Sequence, residues 1–327
     1  MITFWTATLA LTLALYVILD GLDLGVGILF GTTRNLEIKR QMLNSITPVW
    51  DGNETWLVLT AAILFGAFPV VYSLVLSAFY LPIIILLAAL IFRGVAFEFR
   101  GKSKRLRWFW DEGFSYGSLI ASFVQGAAVG AIIEGIPNVE GRFTGTAFGW
   151  LTPFSMLCGI GLCLGYSLLG AAWLVMKSEG NLRERAYVYI PWLLLGVLTF
   201  LSASFAISLF LELPVMARWL DRPYLVSFPL LGLIGCGMIV SGVRSRRDRW
   251  PFAGAVVVFL SAFGTLALSF LPYMIPFSIT IEQAAAPHSS LAFMFWGAGL
   301  VVTPLTLAYT VVVYWLFKGK SQPGGLL

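Results

Sequence analysis

The sequence predicts an all-α, polytopic membrane protein, and three observations carry that prediction. Of its 327 residues 59% are hydrophobic and only 11% are charged, with a mean hydropathy of +0.88. The apolar residues fall in runs long enough to cross a bilayer. Lysine and arginine gather in alternate connections between those runs. A water-soluble chain of this length needs charge over most of its surface, and here there is too little to cover one.

In chain order the apolar runs cover residues 2–30, 50–71, 75–98, 113–134, 152–176, 188–211, 225–243, 252–271 and 291–317. Each approaches or exceeds the roughly 20 residues that cross a ~30 Å hydrocarbon layer as a helix. Lipid offers no partner to an unpaired backbone group, so all nine runs are expected to be transmembrane helices. The first has no basic leading region and is far longer than the apolar core of a secretory signal, so it reads as a span of the mature protein. The fourth ends on Glu134, and the seventh is the shortest. Prolines fall mostly near expected helix ends (Pro48, Pro69, Pro137, Pro153, Pro191, Pro214, Pro223, Pro251, Pro272 and Pro276), whereas Pro82 and Pro304 are expected to kink a helix. With no linker, low-complexity tract or internal repeat, residues 1–327 read as a single integral membrane domain.

Charge sets the expected orientation. One set of alternate connections holds Arg34, Lys39, Arg40, Arg100, Lys102, Lys104, Arg105, Arg107, Lys177, Arg183, Arg185, Arg244, Arg246, Arg247, Arg249, Lys318 and Lys320, against only Arg142, Arg218 and Arg222 in the other. The positive-inside rule makes the first side cytoplasmic, with the N-terminus periplasmic and the C-terminus inside. An odd number of spans requires such a split. The basic runs GKSKRLR and RSRRDR then face anionic lipid headgroups, which accounts for the net charge of +5 without nucleic acid. Trp108, Trp110, Trp250 and Trp315 fit an interfacial aromatic belt.

Cys158, Cys163 and Cys236 have neither metal-ligand nor redox spacing and read as small buried residues. The only histidine, His288, lies in a connection. One histidine supplies neither a bis-histidine haem pair nor a zinc cluster, so any redox metal is expected in another subunit.

The few acidic residues carry most of the functional signal. Asp20 and Asp23 stand at i and i+3 in YVILDGLDLGVGILF, where Gly21, Gly25 and Gly27 thin the helix enough for a neighbour to approach. Asp51 and Glu54 repeat that spacing in WDGNETW, with Asn53 beside them. Arg93 and Glu98 lie in IFRGVAFEFR, and Asp111 and Glu112 open the fourth run. In the expected topology all of them sit at the cytoplasmic ends of the first four helices. A carboxylate at mid-bilayer costs about 2.5–3.5 kcal/mol on insertion scales, so it faces a partner or a watery cavity. Two readings stay open: a proton path through carboxylates, or helix capping by residues such as Asp51 and Glu54 near a helix N-terminus.

The stretches WDGNETWL, LDGLDLGVG, FRGVAFEFR, WFWDEGFSYGS and PYMIP, in this order over nearly the whole chain once LDGLDLGVG is placed first, resemble subunit II of the cytochrome bd-type quinol oxidases, including the cyanide-insensitive branch. The resemblance implies a heterodimeric respiratory complex in the bacterial inner membrane that oxidises quinol and reduces oxygen to water. It places two b-type haems and one d-type haem in subunit I, with no haem or metal ligated by this chain, and allows a bound structural quinone or lipid and small accessory subunits. Carried over by position, it marks Asp51, Asp20, Asp23 and Asp111 as proton-path residues and Trp56 as lining an oxygen route or packing; Glu54 stands where other members can carry glutamine. Two other classes stay open on the sequence alone: an ion-coupled secondary transporter with a buried carboxylate cluster, and a purely structural companion of the haem subunit.

Overall fold

A computed structural model describes residues 1–103, 105–211 and 213–321. Lys104, one of the basic residues counted above, lies outside the described residues. The helices in order are α1 (Ile2–Phe30), α2 (Leu36–Ile46), α3 (Trp50–Ala67), α4 (Pro69–Ala78), α5 (Tyr80–Arg100), α6 (Arg107–Glu134), α7 (Pro153–Lys177), α8 (Gly180–Phe210), α9 (Pro214–Asp221), α10 (Ser227–Arg244), α11 (Arg249–Phe270), α12 (Ile281–Ala284), α13 (His288–Met294) and α14 (Val302–Leu316). Two antiparallel hairpins, β1 (Asn138–Val139) with β2 (Arg142–Phe143) and β3 (Tyr273–Ile275) with β4 (Ile279–Thr280), occupy connections.

Among the described residues eight helical segments are long and apolar enough to cross a membrane: Ile2–Phe30, Tyr80–Arg100, Arg107–Glu134, Pro153–Lys177, Gly180–Phe210, Pro223–Arg244, Arg249–Phe270 and His288–Leu316. The run expected at 50–71 is divided. Helix α3 carries WDGNET in its first turns, which lowers its hydropathy, and the chain leaves helical geometry at Phe68, where φ is −136° and ψ is 59°. Pro69 explains the break, because a proline ring pushes the preceding residue out of the α region while itself suiting the first helical position. A second break at Phe79 separates α4 from α5.

The expected kinks at Pro82 and Pro304 move elsewhere. Both prolines fall in the first turn of their helices, where the missing N–H has no intrahelical acceptor to lose. Pro191, expected near a helix end, is instead inside α8, because that helix starts at Gly180 and incorporates the polar NLRERAY segment. The last run is also interrupted: a π-helical turn over Phe295–Gly299 separates α13 from α14. Helix α2, between the first two runs, is amphipathic and capped by Asn35, whose Oδ1 accepts from the Glu37 and Ile38 N–H groups at 3.0 and 3.2 Å.

Helix α7 forms the centre. Every residue from Gly165 to Val175 is buried, the pattern of a helix surrounded by others, and α1, α6, α8 and α11 pack on it. The glycines of α1 do what their spacing predicts. A Cβ on Gly25 would lie 1.8 Å from the Tyr166 carbonyl oxygen, and one on Gly170 would lie 2.5 Å from the Gly25 carbonyl carbon, so backbones of α1 and α7 touch directly. A Cβ on Gly27 would strike Ser118 Oγ of α6 at 2.0 Å. These close crossings hold the acidic face of α1 against its neighbours.

Candidate functional site: two buried ion-pair groups

Asp20 and Asp23 are both fully buried on α1. Helix α5 brings Arg93, 1% exposed, to the first of them: its Nη1 donates to Asp20 Oδ1 at 3.1 Å and to Glu54 Oε1 of α3, also at 3.1 Å. Close approach of α6 at Gly117, where a Cβ would meet Ala89 O at 2.8 Å and Arg93 Cβ at 3.1 Å, confines the arginine stem. Asn53 holds the second aspartate. Its Nδ2 donates to Asp23 Oδ2 at 2.7 Å and to Leu19 O at 3.1 Å, while its Oδ1 accepts from the Tyr314 hydroxyl at 3.1 Å. Four elements thus meet on one buried network: α1, α3, α5 and α14.

The network is rich in acid. Among the described residues, Asp20 and Glu54 pair with one cation, Arg93, which also lies in electrostatic range of Asp23, and Asp20 Oδ2, Asp23 Oδ1, Arg93 Nε and Arg93 Nη2 have no hydrogen-bond partner. Buried polar atoms are satisfied in the great majority of folded proteins, so the two carboxylate oxygens call for water or a bound proton, and the two arginine N–H groups for water or another acceptor. Asp51 stands at the mouth, exposed, one turn before the half-buried Glu54 and in electrostatic range of Glu98 and Arg93. Glu98 is exposed as well.

Asp111 does not join this network. It is buried between two cations, with Lys39 Nζ donating to Oδ2 at 3.0 Å and Arg100 Nε donating to Oδ1 at 2.5 Å. The Phe30 ring lies under both cations, 4.5 Å from Lys39 Nζ and 5.4 Å from the Arg100 guanidinium carbon. This group locks the ends of α1, α2, α5 and α6 together. Its neighbour Glu112 is exposed. Lys39 and Arg100, counted above as cytoplasmic charges, are therefore buried partners of one carboxylate and do not face headgroups.

Sequence reasoning missed several participants. Tyr314 reaches Asn53 from the far end of the chain. Gln125 of α6 bridges two buried tyrosines, donating to the Tyr16 hydroxyl at 2.8 Å and accepting from that of Tyr166 at 2.9 Å. A glutamine inside an apolar helix was a usable signal; the tyrosines blended with the interfacial aromatics. Trp56 is wholly buried with its indole N–H unpaired. The single histidine, His288, is exposed at the start of α13.

A third group ties the helix ends at the basic end of the bundle. Asp248 accepts from Arg183 Nη2 at 2.8 Å, from the Tyr187 hydroxyl at 2.7 Å and from Lys320 Nζ at 2.9 Å. Burial pushes its carboxyl up, but the hydrogen bonds from Arg183, Lys320 and Tyr187 outweigh that and hold it at about 2.

A family model described as cytochrome bd terminal oxidase subunit II matches residues 1–317. Subunit 2 of the cytochrome bd-I ubiquinol oxidase of Escherichia coli strain K12 is 31% identical over 97% of this chain and 94% of its own length. Subunit 2 of the cytochrome bd ubiquinol oxidase of Bacillus subtilis is 29% identical, covering 97% and 95%. In three dimensions the chain is similar to a chain in the structure of bd oxidase from Geobacillus thermodenitrificans, with a TM-score of 0.80, 17% identity and 96% and 97% coverage; this likeness shows the shared fold. From the extent of the family match, covering all the helices described above, the chain belongs to the cytochrome bd terminal oxidase subunit II family.

Proposed function

We propose that this chain is the subunit of a heterodimeric quinol:oxygen oxidoreductase that ligates no haem, supporting a haem-bearing subunit I and conducting protons towards it from the cytoplasm. The observation that carries the proton path is the acid-rich network of Asp20, Asp23 and Glu54 on Arg93, open at its outer end to Asp51. Protons are taken from water by Asp51, passed one helical turn to Glu54, and moved to Asp20 across the site that Arg93 holds together. Arginine keeps its proton in proteins, so Arg93 acts as a clamp that brings two carboxylates within reach of one donor. Asp23, held by Asn53, supplies a further carboxylate at the same depth. Asp111, saturated by two cations, serves the structure.

In this reading α3 and α4 complete a ninth crossing, the whole chain is one membrane domain, and the N-terminus is periplasmic with the basic end in the cytoplasm of a bacterial inner-membrane protein. The complex carries two b-type haems and one d-type haem. The single histidine of this chain is exposed at the start of α13 and supplies no bis-histidine haem pair, so the oxygen chemistry is assigned to subunit I. Quinol and oxygen are substrates of the complex. Membership of the oxidase subunit family over residues 1–317 disfavours an ion-coupled transporter.

The test is to purify the tagged chain from its native membrane in mild detergent. Co-purification of a large partner with b- and d-type haem bands and quinol-dependent oxygen uptake is expected. A colourless chain purified alone, under conditions that preserve known complexes, would overturn the reading.

A further inference from the structure

A second polar site lies away from the carboxylate network, in a cavity of about 270 Å³ where the α2–α3 connection, the end of α7 and the end of α14 meet. Its floor is fixed by the Trp173 indole, which donates to Ser45 O at 3.2 Å. Lys177, only 7% exposed, lines it. The lysine ammonium donates to the carbonyls of Phe317 and Gly319 and stands 4.9 Å from the Trp173 ring centre, while Ser321 N–H donates back to the Lys177 carbonyl at 2.8 Å. Among the described residues no carboxylate pairs with Lys177. The nearby acids are engaged elsewhere: Asp248 and Glu179 lie 2.9 and 3.9 Å from Lys320 Nζ. Asn44 also lines the cavity, and both its side-chain nitrogen and its oxygen are buried without a hydrogen-bond partner.

A buried cation matched only by carbonyls and an aromatic face leaves a net positive charge in a confined space, and such a charge is normally paired. An uncommitted amide donor beside it, in a cavity that also touches the uncapped start of α3 at Val49, favours an anion with several acceptor oxygens. Leu316 and Phe317 at the end of α14 line the cavity and are 63% and 41% exposed, and beside them Lys318 stands over the exposed Trp315 ring at 5.1 Å. That aromatic and lysine pairing marks the interfacial layer.

We propose that this cavity binds a phosphate group, presented by an anionic phospholipid whose acyl chains run down the exposed face of α14. The phosphate sits against Lys177 and Asn44. It thereby pins the C-terminal segment and the α2–α3 connection, which leads directly into Asp51.

The test uses the intact oxidase complex, stripped of lipid by detergent washing, with thermal unfolding followed as phosphatidylglycerol, phosphatidylcholine or inorganic phosphate is added. Phosphatidylglycerol is expected to raise the unfolding temperature of the wild type more than phosphatidylcholine does, and Lys177→Met to weaken that response at least about tenfold in lipid concentration. Lys318→Ala, exposed and outside the cavity, keeps the wild-type response. Should Lys177→Met fail to assemble, Asn44→Asp replaces it: a near-isosteric change that sets a negative charge against the phosphate and gives the same loss. Inorganic phosphate that stabilises equally and blocks the lipid effect would assign the site to free phosphate; no effect of phosphate assigns it to the lipid. A wild-type lipid response in both cavity variants, or an equal loss in Lys318→Ala, overturns the proposal.

Discussion

Asp20 and Asp111 are both buried aspartates near the same end of the bundle, yet their surroundings invert the ratio of acid to base. Asp20 shares one arginine with Glu54 and has Asp23 in electrostatic range, so among the described residues three carboxylates face one cation and oxygens are left over. Asp111 alone faces Lys39 and Arg100. Both Asp111 oxygens are engaged, one by each cation. On the proposed reading, the group of carboxylates with too few cations is the one that carries protons. The difference teaches that burial of an acid is no sign of proton transfer until its counter-charges are counted.

The comparison can be broken most forcefully at Arg93. Replacing it with methionine leaves Asp20 and Glu54 without a cation, and removing one partner of a buried ion pair costs about 3–5 kcal/mol. The yield and thermal unfolding of the complex should both fall by a large margin; wild-type stability would show that the carboxylates do not depend on the clamp. Asp111→Asn is the matching test on the other side. It strands two cations and is expected to cost about 1.5–3 kcal/mol of stability, while turnover per assembled complex stays at the wild-type level. A loss of turnover in a fully stable complex would place Asp111 on the proton path after all.

Smaller effects sharpen the account. Asp51→Asn, at an exposed position, is expected to slow quinol-dependent oxygen uptake by about tenfold or less, because water can still reach Glu54 directly. The least effect belongs to Asp248. Its folded value near 2 lies below the ordinary ~3.9 of an unfolded aspartate. Its contribution is therefore fully present above about pH 4 and lost as the pH falls towards 2. Being partly solvated, it is worth at most about 1 kcal/mol. Thermal unfolding of wild type and Asp248→Asn should differ slightly at pH 6 and converge as the pH falls from about 4 towards 2.

Composition and run length were enough for the fold class, because apolar runs of about 20 residues cross lipid as helices. The spacing of Gly21 and Gly25 likewise foretold a close helix crossing, a local steric property. The breaks were less legible. Pro69 interrupts a run that hydropathy treats as continuous, whereas Pro82 and Pro304, also inside apolar runs, fall where a helix happens to begin. Within the site, the i, i+3 pairs Asp20/Asp23 and Asp51/Glu54 were readable since one helix turn carries both members. That Arg93 bridges two of these helices was not, and neither was the contact of Tyr314 with Asn53, 261 positions apart. The burial of Lys39 and Arg100 was not legible either, because the positive-inside pattern is a matter of side and says nothing of depth.

The most direct test of the acid-rich network is Asp20→Asn. The substitution keeps the shape and leaves Arg93 paired with Glu54, so the complex is expected to assemble with its haem bands intact. Proton uptake from the medium would be followed with a pH-sensitive dye during a single turnover started by oxygen, in wild type and variant side by side. The account predicts that uptake slows by about a hundredfold together with oxygen reduction. Uptake at the wild-type rate in a fully assembled Asp20→Asn complex would contradict it.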